Sequence, residues 1–120
     1  MADADTAVAA LRDRVAAFVR ARDWERFHNP KDLALAVLVE AAELAELFLW
    51  HSPEALDESD PELRARSADE LADIAIYVLA MANRLSLDLS DAVLGKLDRN
   101  EVRFPARRGA APPNRGHPRR

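Results

Sequence analysis

The chain has 120 residues, 49% of them hydrophobic, with a formal net charge of −4, no cysteine and three glycines. That is the size of one domain with enough apolar content for a core, and it excludes disulfides and thiolate metal sites. The charge is unevenly spread: all 21 acids lie at or before Glu101, whereas the last 19 residues hold six arginines and no acid. An acidic body does not suit a nucleic-acid polymer as main ligand, because phosphate contacts call for a basic face. No apolar run reaches the roughly 18 residues of a membrane span, and the start, Met1 to Thr6, is acidic where a signal peptide is basic. The expected setting is a soluble protein of the cytoplasm.

Val8, Leu11, Val15, Phe18 and Val19 recur at spacings of three and four, which predicts a first amphipathic helix over 6–23. Residues 23–28 break the pattern and read as an ordered loop. Asn29-Pro30 supplies an N-cap and a first-turn proline for a second helix, expected to run to about Trp50, ahead of Ser52-Pro53. Asp60-Pro61 repeats the start signal for a third helix ending near Leu85. Asp88 suits the cap of a fourth over 89–103. From Pro105 on, Arg, Pro, Ala and Gly without periodicity predict a flexible tail, 105–120. The fold class expected is all-α, a four-helix bundle. Alanine-rich helix faces and a modest core point to a homo-oligomer.

The second helix places acids where apolar residues belong. On a helical wheel Glu40 shares a face with Leu33, Val37, Leu44 and Leu47, and Glu43 lies one turn on at its edge. Glu46 extends the series toward solvent. In the third helix Glu70 and Asp73 are three apart, and Asp73 opens the run Ile74 to Leu79. Antiparallel packing of the two helices would bring the two acid pairs together. No Lys or Arg occurs from Ala34 to Trp50 or from Glu70 to Asn83 to neutralise them. Unpaired carboxylates in an apolar setting are costly, so a hard divalent cation is the natural counter-charge. Oxygen-only ligands favour Mg²⁺, with Mn²⁺ a substitute, over zinc, and a di-iron site lacks its Glu-x-x-His pairs. Two plainer alternatives stand beside this. Ser67-x-x-Glu70 fits a capping box, and Glu40, Glu43 and Glu46 would form a solvated stripe on a rotated helix.

The acid pairs Glu40-Ala-Ala-Glu43 and Glu70-Leu-Ala-Asp73 resemble the signature of the MazG-like all-α nucleoside triphosphate pyrophosphohydrolases. The segments Arg22 to His28, Glu43 to Trp50, Asp73 to Tyr77 and Lys96 to Asn100 are similar to the dCTP-cleaving branch. The resemblance runs from about Leu11 to Pro105. It implies a tetramer that hydrolyses the α–β phosphate bond, releasing a nucleoside monophosphate and pyrophosphate. It implies that Glu40, Glu43, Glu70 and Asp73 hold Mg²⁺. For the chemistry itself, a carboxylate facing a metal-bound water would position it, and Glu43 is the candidate for that role. The resemblance further implies that Trp24, Trp50 and Tyr77 form a base and sugar pocket with His28 nearby, and that Lys96 and Asn100 contact substrate. Without the resemblance, Lys96 reads as a solvated lysine and His28 as a loop residue. Phe18, Phe27 and Phe48 read as packing residues. One departure stands out: the branch carries a histidine near the base in its first helix, and the matching residue here is Val15. That keeps broad or dUTP-directed hydrolysis as an alternative; separately, the acid cluster alone also suits a structural metal site in a non-catalytic helical scaffold.

Overall fold

The computed structural model describes residues 1–107 and 112, and among them there are helices and turns but no strand. A four-residue helix, α1 (Ala2–Asp5), precedes α2 (Val8–Ala21), α3 (Pro30–Glu46), α4 (Pro61–Leu85) and α5 (Leu89–Arg103), with 3₁₀ turns at Glu25–Phe27 and Pro53–Ala55. The all-α expectation holds, with α1 as a small addition to the four expected helices. No helix among the described residues is long and apolar enough to cross a membrane. The tail expected over 105–120 falls mostly outside the described residues.

The two proline-marked starts form as the sequence predicts. Asn29 Oδ1 accepts the Asp32 N–H at 2.9 Å and Asp60 Oδ1 that of Glu62 at 3.2 Å, each with proline in the first turn. Such a side chain satisfies one of the N–H groups that a helix start leaves unpaired. Ser67, by contrast, is well inside α4, where its hydroxyl donates to the Leu63 carbonyl at 2.7 Å. The capping-box alternative for Glu70 is therefore ruled out.

The helix ends differ from expectation. α2 stops at Ala21 because Asp23 takes a left-handed conformation (φ 55°), so that Trp24 N–H reaches back to Val19 O and Asp23 N–H to Arg20 O. Ser86 (φ 53°) does the same for α4, with Leu87 N–H on Ala82 O and Ser86 N–H on Asn83 O. Both are Schellman terminations built without glycine. α3 ends at Glu46, four residues before Trp50, because the backbone tightens to three-residue turns: Leu47 N–H bonds Leu44 O and Phe48 N–H bonds Ala45 O.

α3 and α4 form the main helix pair, with α2 packed on α4. Leu33 meets Leu79 and Ala80 in the core, while Leu47 lies with Leu63 and Arg66 at the other end. Low numbers on α3 thus face high numbers on α4, which is the expected antiparallel arrangement. The core is small: Val15, Val19, Leu33, Leu79 and Ala80, with Tyr77 and Met81 against it. The apolar stripe read for the first helix is buried only at Val15 and Val19. Phe18 and Phe27 are about half exposed and are covered by arginines, Arg22 at 3.6 Å and Arg26 at 4.7 Å from the ring centroids, so neither packs in the core. α5 belongs to a separate compact unit that begins at Ser90.

Candidate metal and nucleotide site

The antiparallel register sets the middle of α3 beside the N-terminal half of α4. There Glu40, Glu43 and Glu70 each bring a carboxylate oxygen to within 4.8 Å of the other two. On α3, the more buried positions are Leu33, Ala36, Val37, Glu40 and Leu44, continued by Leu47 just past its end, so Glu40 does lie on the inward stripe. Glu43 is at the edge and exposed, and Glu46 is exposed. The rotated-helix alternative therefore fails for Glu40 and describes Glu46.

The electrostatics are those of a site short of positive charge. Glu40 Oε2 and Glu70 Oε2 are shut off from solvent with no hydrogen-bond partner. Loss of hydration raises the Glu40 pKa to about 7, helped by the Glu43 side chain and by the charges of Asp73 and Glu70. Loss of hydration also raises that of Glu70, with Glu43 next in weight. Among the described residues, every charge bearing on these two groups is another carboxylate. Asp73 is exposed and outside the trio, one turn further along α4, yet near enough to act on both. Two orphaned buried oxygens and an oxygen-only donor set fit a hard cation.

The other expected residues divide into groups. Trp24 meets the edge of Phe18 at 5.7 Å and tilts over His28 at 6.5 Å, with 43% of its surface exposed. Tyr77 follows Asp73 by one turn on α4 and packs on the core. Trp50 is in the turn after α3 and is 82% exposed. Lys96 and Asn100 are one turn apart on α5. A pocket of about 350 Å³, lined by Val15, His28, Ala80, Asn83 and Arg84 among others, opens between α2 and α4. Asn83 was not among the expected site residues. Its one signal in the sequence is a lone amide closing the apolar run that starts at Ile74.

An α3–α4 hairpin with converging carboxylates, a cluster that could hold a metal ion, defines the class of this all-α protein. The MazG-like family model matches residues 35–110, more than half of the chain, and the chain belongs to that family. It is 44% identical over 108 residues to dCTP pyrophosphatase 1 of Mus musculus, an alignment covering 84% of this chain and 62% of the relative. With dCTP pyrophosphatase 1 of Homo sapiens it shares 45% over 101 residues, covering 80% and 58%. The chain thus spans about three fifths of the length of these relatives. A crystal structure of a pyrophosphatase from Archaeoglobus fulgidus superposes with a TM-score of 0.70 at 30% identity, covering 80% of this chain and 90% of that one.

Proposed function

We propose that the chain is a Mg²⁺-dependent nucleoside triphosphate pyrophosphohydrolase acting on dCTP or its modified forms. Water attacks at the α–β phosphate linkage, the anhydride bond breaks, and a nucleoside monophosphate, pyrophosphate and a proton result. The observation that carries the reading is the Glu40–Glu43–Glu70 cluster with its two orphaned oxygens. It occurs in a chain whose relatives are named dCTP pyrophosphatase 1. Mn²⁺ is the expected substitute for Mg²⁺.

Glu40, Glu43, Glu70 and Asp73 are the residues that would hold the cation. When bound it would supply charge neutralisation for the triphosphate oxygens. Glu43, the exposed member of the trio, is the carboxylate best placed to orient the water and take its proton. Trp24 offers a ring for the base, with His28, Trp50 and Tyr77 completing the base and sugar contacts, and Lys96 and Asn100 contact substrate from α5. Residues 1–104 form the catalytic domain and 105–120 an arginine- and proline-rich extension. The protein works as a homotetramer on cytoplasmic nucleotide pools.

The test is a panel of canonical and 5-modified nucleoside triphosphates with Mg²⁺, scored for monophosphate and pyrophosphate. Preference for deoxycytidine nucleotides is expected. Val15, standing where the dCTP-cleaving branch has histidine, favours a second reading in which dUTP or many nucleotides are cleaved, and broad turnover would select it. Absence of pyrophosphate with every nucleotide would leave a metal-binding scaffold.

A further inference from the structure

α2 and α4 are joined at the pocket by a reciprocal pair of hydrogen bonds. Arg12 Nε donates to Asn83 Oδ1 at 3.0 Å, and Asn83 Nδ2 donates to the Arg12 backbone carbonyl at 3.0 Å. A guanidinium nitrogen can only donate and a carbonyl can only accept, so the orientation of the Asn83 amide is set by chemistry. One Nδ2 hydrogen is used by Arg12, an amide nitrogen carries two, and Asn83 lines the pocket. The same pocket has an apolar floor of Val15, Val19 and Ala80, and Arg84 adds guanidinium donors. Its about 350 Å³ is at the small end of ligand pockets.

The pocket and the acid cluster share α4. Asp73, Tyr77, Ala80 and Arg84 follow at spacings of four, three and four, hence on one helix face. At 1.5 Å per residue, Ala80 and Arg84 are about 10 and 16 Å along the axis from Asp73, within reach of a nucleoside triphosphate whose phosphates are at the acids. An apolar floor with donors on its wall suits a flat ring that carries acceptors on its edge.

We propose that Asn83 is a specificity-determining residue that donates to the base edge in this pocket, with Arg12 as its positioning residue. The proposal rests on the pyrophosphohydrolase reading. Donors from Asn83 and Arg84 suit the adjacent O2 and N3 acceptors of cytosine and oppose the N3–H of uracil. A polar reader on α4 thus stands in the pocket whose α2 wall is the apolar Val15.

The experiment measures kcat/KM for dCTP and dUTP with Mg²⁺ in the wild type, Asn83→Ala, Asn83→Asp and Arg12→Lys, with a thermal melt of each. The ratio of the two substrates does not depend on how much of a variant is active. The wild type should prefer dCTP. Asn83→Ala should lower that ratio roughly five- to tenfold, the worth of one hydrogen bond. Asn83→Asp keeps an acceptor for Arg12 Nε and should turn the preference toward dUTP, since a carboxylate accepts from N3–H. Arg12→Lys should lower the ratio in the same direction as Asn83→Ala. Equal losses on both substrates would overturn the proposal and leave Asn83 as a tie between helices, as would a wild type that does not discriminate. No turnover of any nucleotide by the wild type would instead overturn the enzymatic reading.

Discussion

Glu40 on α3 and Glu70 on α4 face one another across the helix pair, each with one carboxylate oxygen sealed from water and unpaired. Such an arrangement favours protons when no cation is present. Because the folded Glu40 pKa is raised from 4.5 to about 7, the folded state binds protons more tightly than the unfolded chain. The stability that Glu40 contributes is full below 4.5 and is lost as pH rises through about 7. Glu70 shifts in the same direction and adds to the effect. Metal-free protein should therefore melt at progressively lower temperature between these limits. Glu40→Gln should flatten that slope and raise the melting temperature at pH 8. A melting temperature that climbs with pH across this window would contradict the site geometry.

Adding Mg²⁺ at pH 8 should reverse the loss, because a ligand that binds only the folded state stabilises it in proportion to the logarithm of its concentration. The increase should vanish in Glu40→Gln and Glu70→Gln, and Ca²⁺ should substitute at least partly because it takes the same oxygen donors. Equal stabilisation of wild type and both variants would place the cation elsewhere.

Removing one carboxylate tests chemistry apart from folding. Glu43 and Asp73 are both exposed, so Glu43→Gln and Asp73→Asn should retain the helical circular dichroism spectrum of the parent. Their Mg²⁺-dependent nucleotide hydrolysis should fall by roughly 10²-fold or more, the scale of a lost general base or charge-stabilising group. Undiminished turnover in either variant would remove that residue from the site.

Ser86 carries the cost of a left-handed conformation at the end of α4 (φ 53°). Glycine takes that conformation without a Cβ clash. Ser86→Gly should stabilise the protein by about 1 kcal/mol, raising the melting temperature by several degrees. The bonds from Leu87 and Ser86 back to Ala82 and Asn83 would be retained. A lower melting temperature would show that the greater chain entropy of glycine in the unfolded state outweighs the relieved strain.

Features governed by local chemistry were legible in the sequence. Asn29-Pro30 and Asp60-Pro61 announce two helix starts through the conformational limits of proline and the reach of a short polar side chain, and both are capped as read. Glu40 and Glu70 stood out because periodicity alone puts acids among apolar residues. What stayed hidden depends on tertiary placement or on conformations that sequence leaves weakly determined. The end of α3 at Glu46 has no proline or glycine to mark it. Asp23 and Ser86 adopt a backbone region that glycine usually announces. The Arg12–Asn83 pair joins residues 71 positions apart, a contact that only the packing of α2 on α4 creates.

α3 presents apolar residues on both sides. Leu33 is buried, while on the opposite face Leu35, Leu38 and Val39 are 49%, 64% and 54% exposed. A helix apolar all round belongs in an interior, and one chain encloses only one side of this one. The tetramer proposed above would cover the other. Sedimentation should therefore report an assembly at micromolar concentration, and Leu38→Glu should lower its mass by placing a charge where another subunit would bury it. Because Leu38 is outside the core of its own chain, the variant should keep its helicity. A monomeric wild type, or an assembly indifferent to Leu38→Glu, would mean that this face of α3 is not the contact.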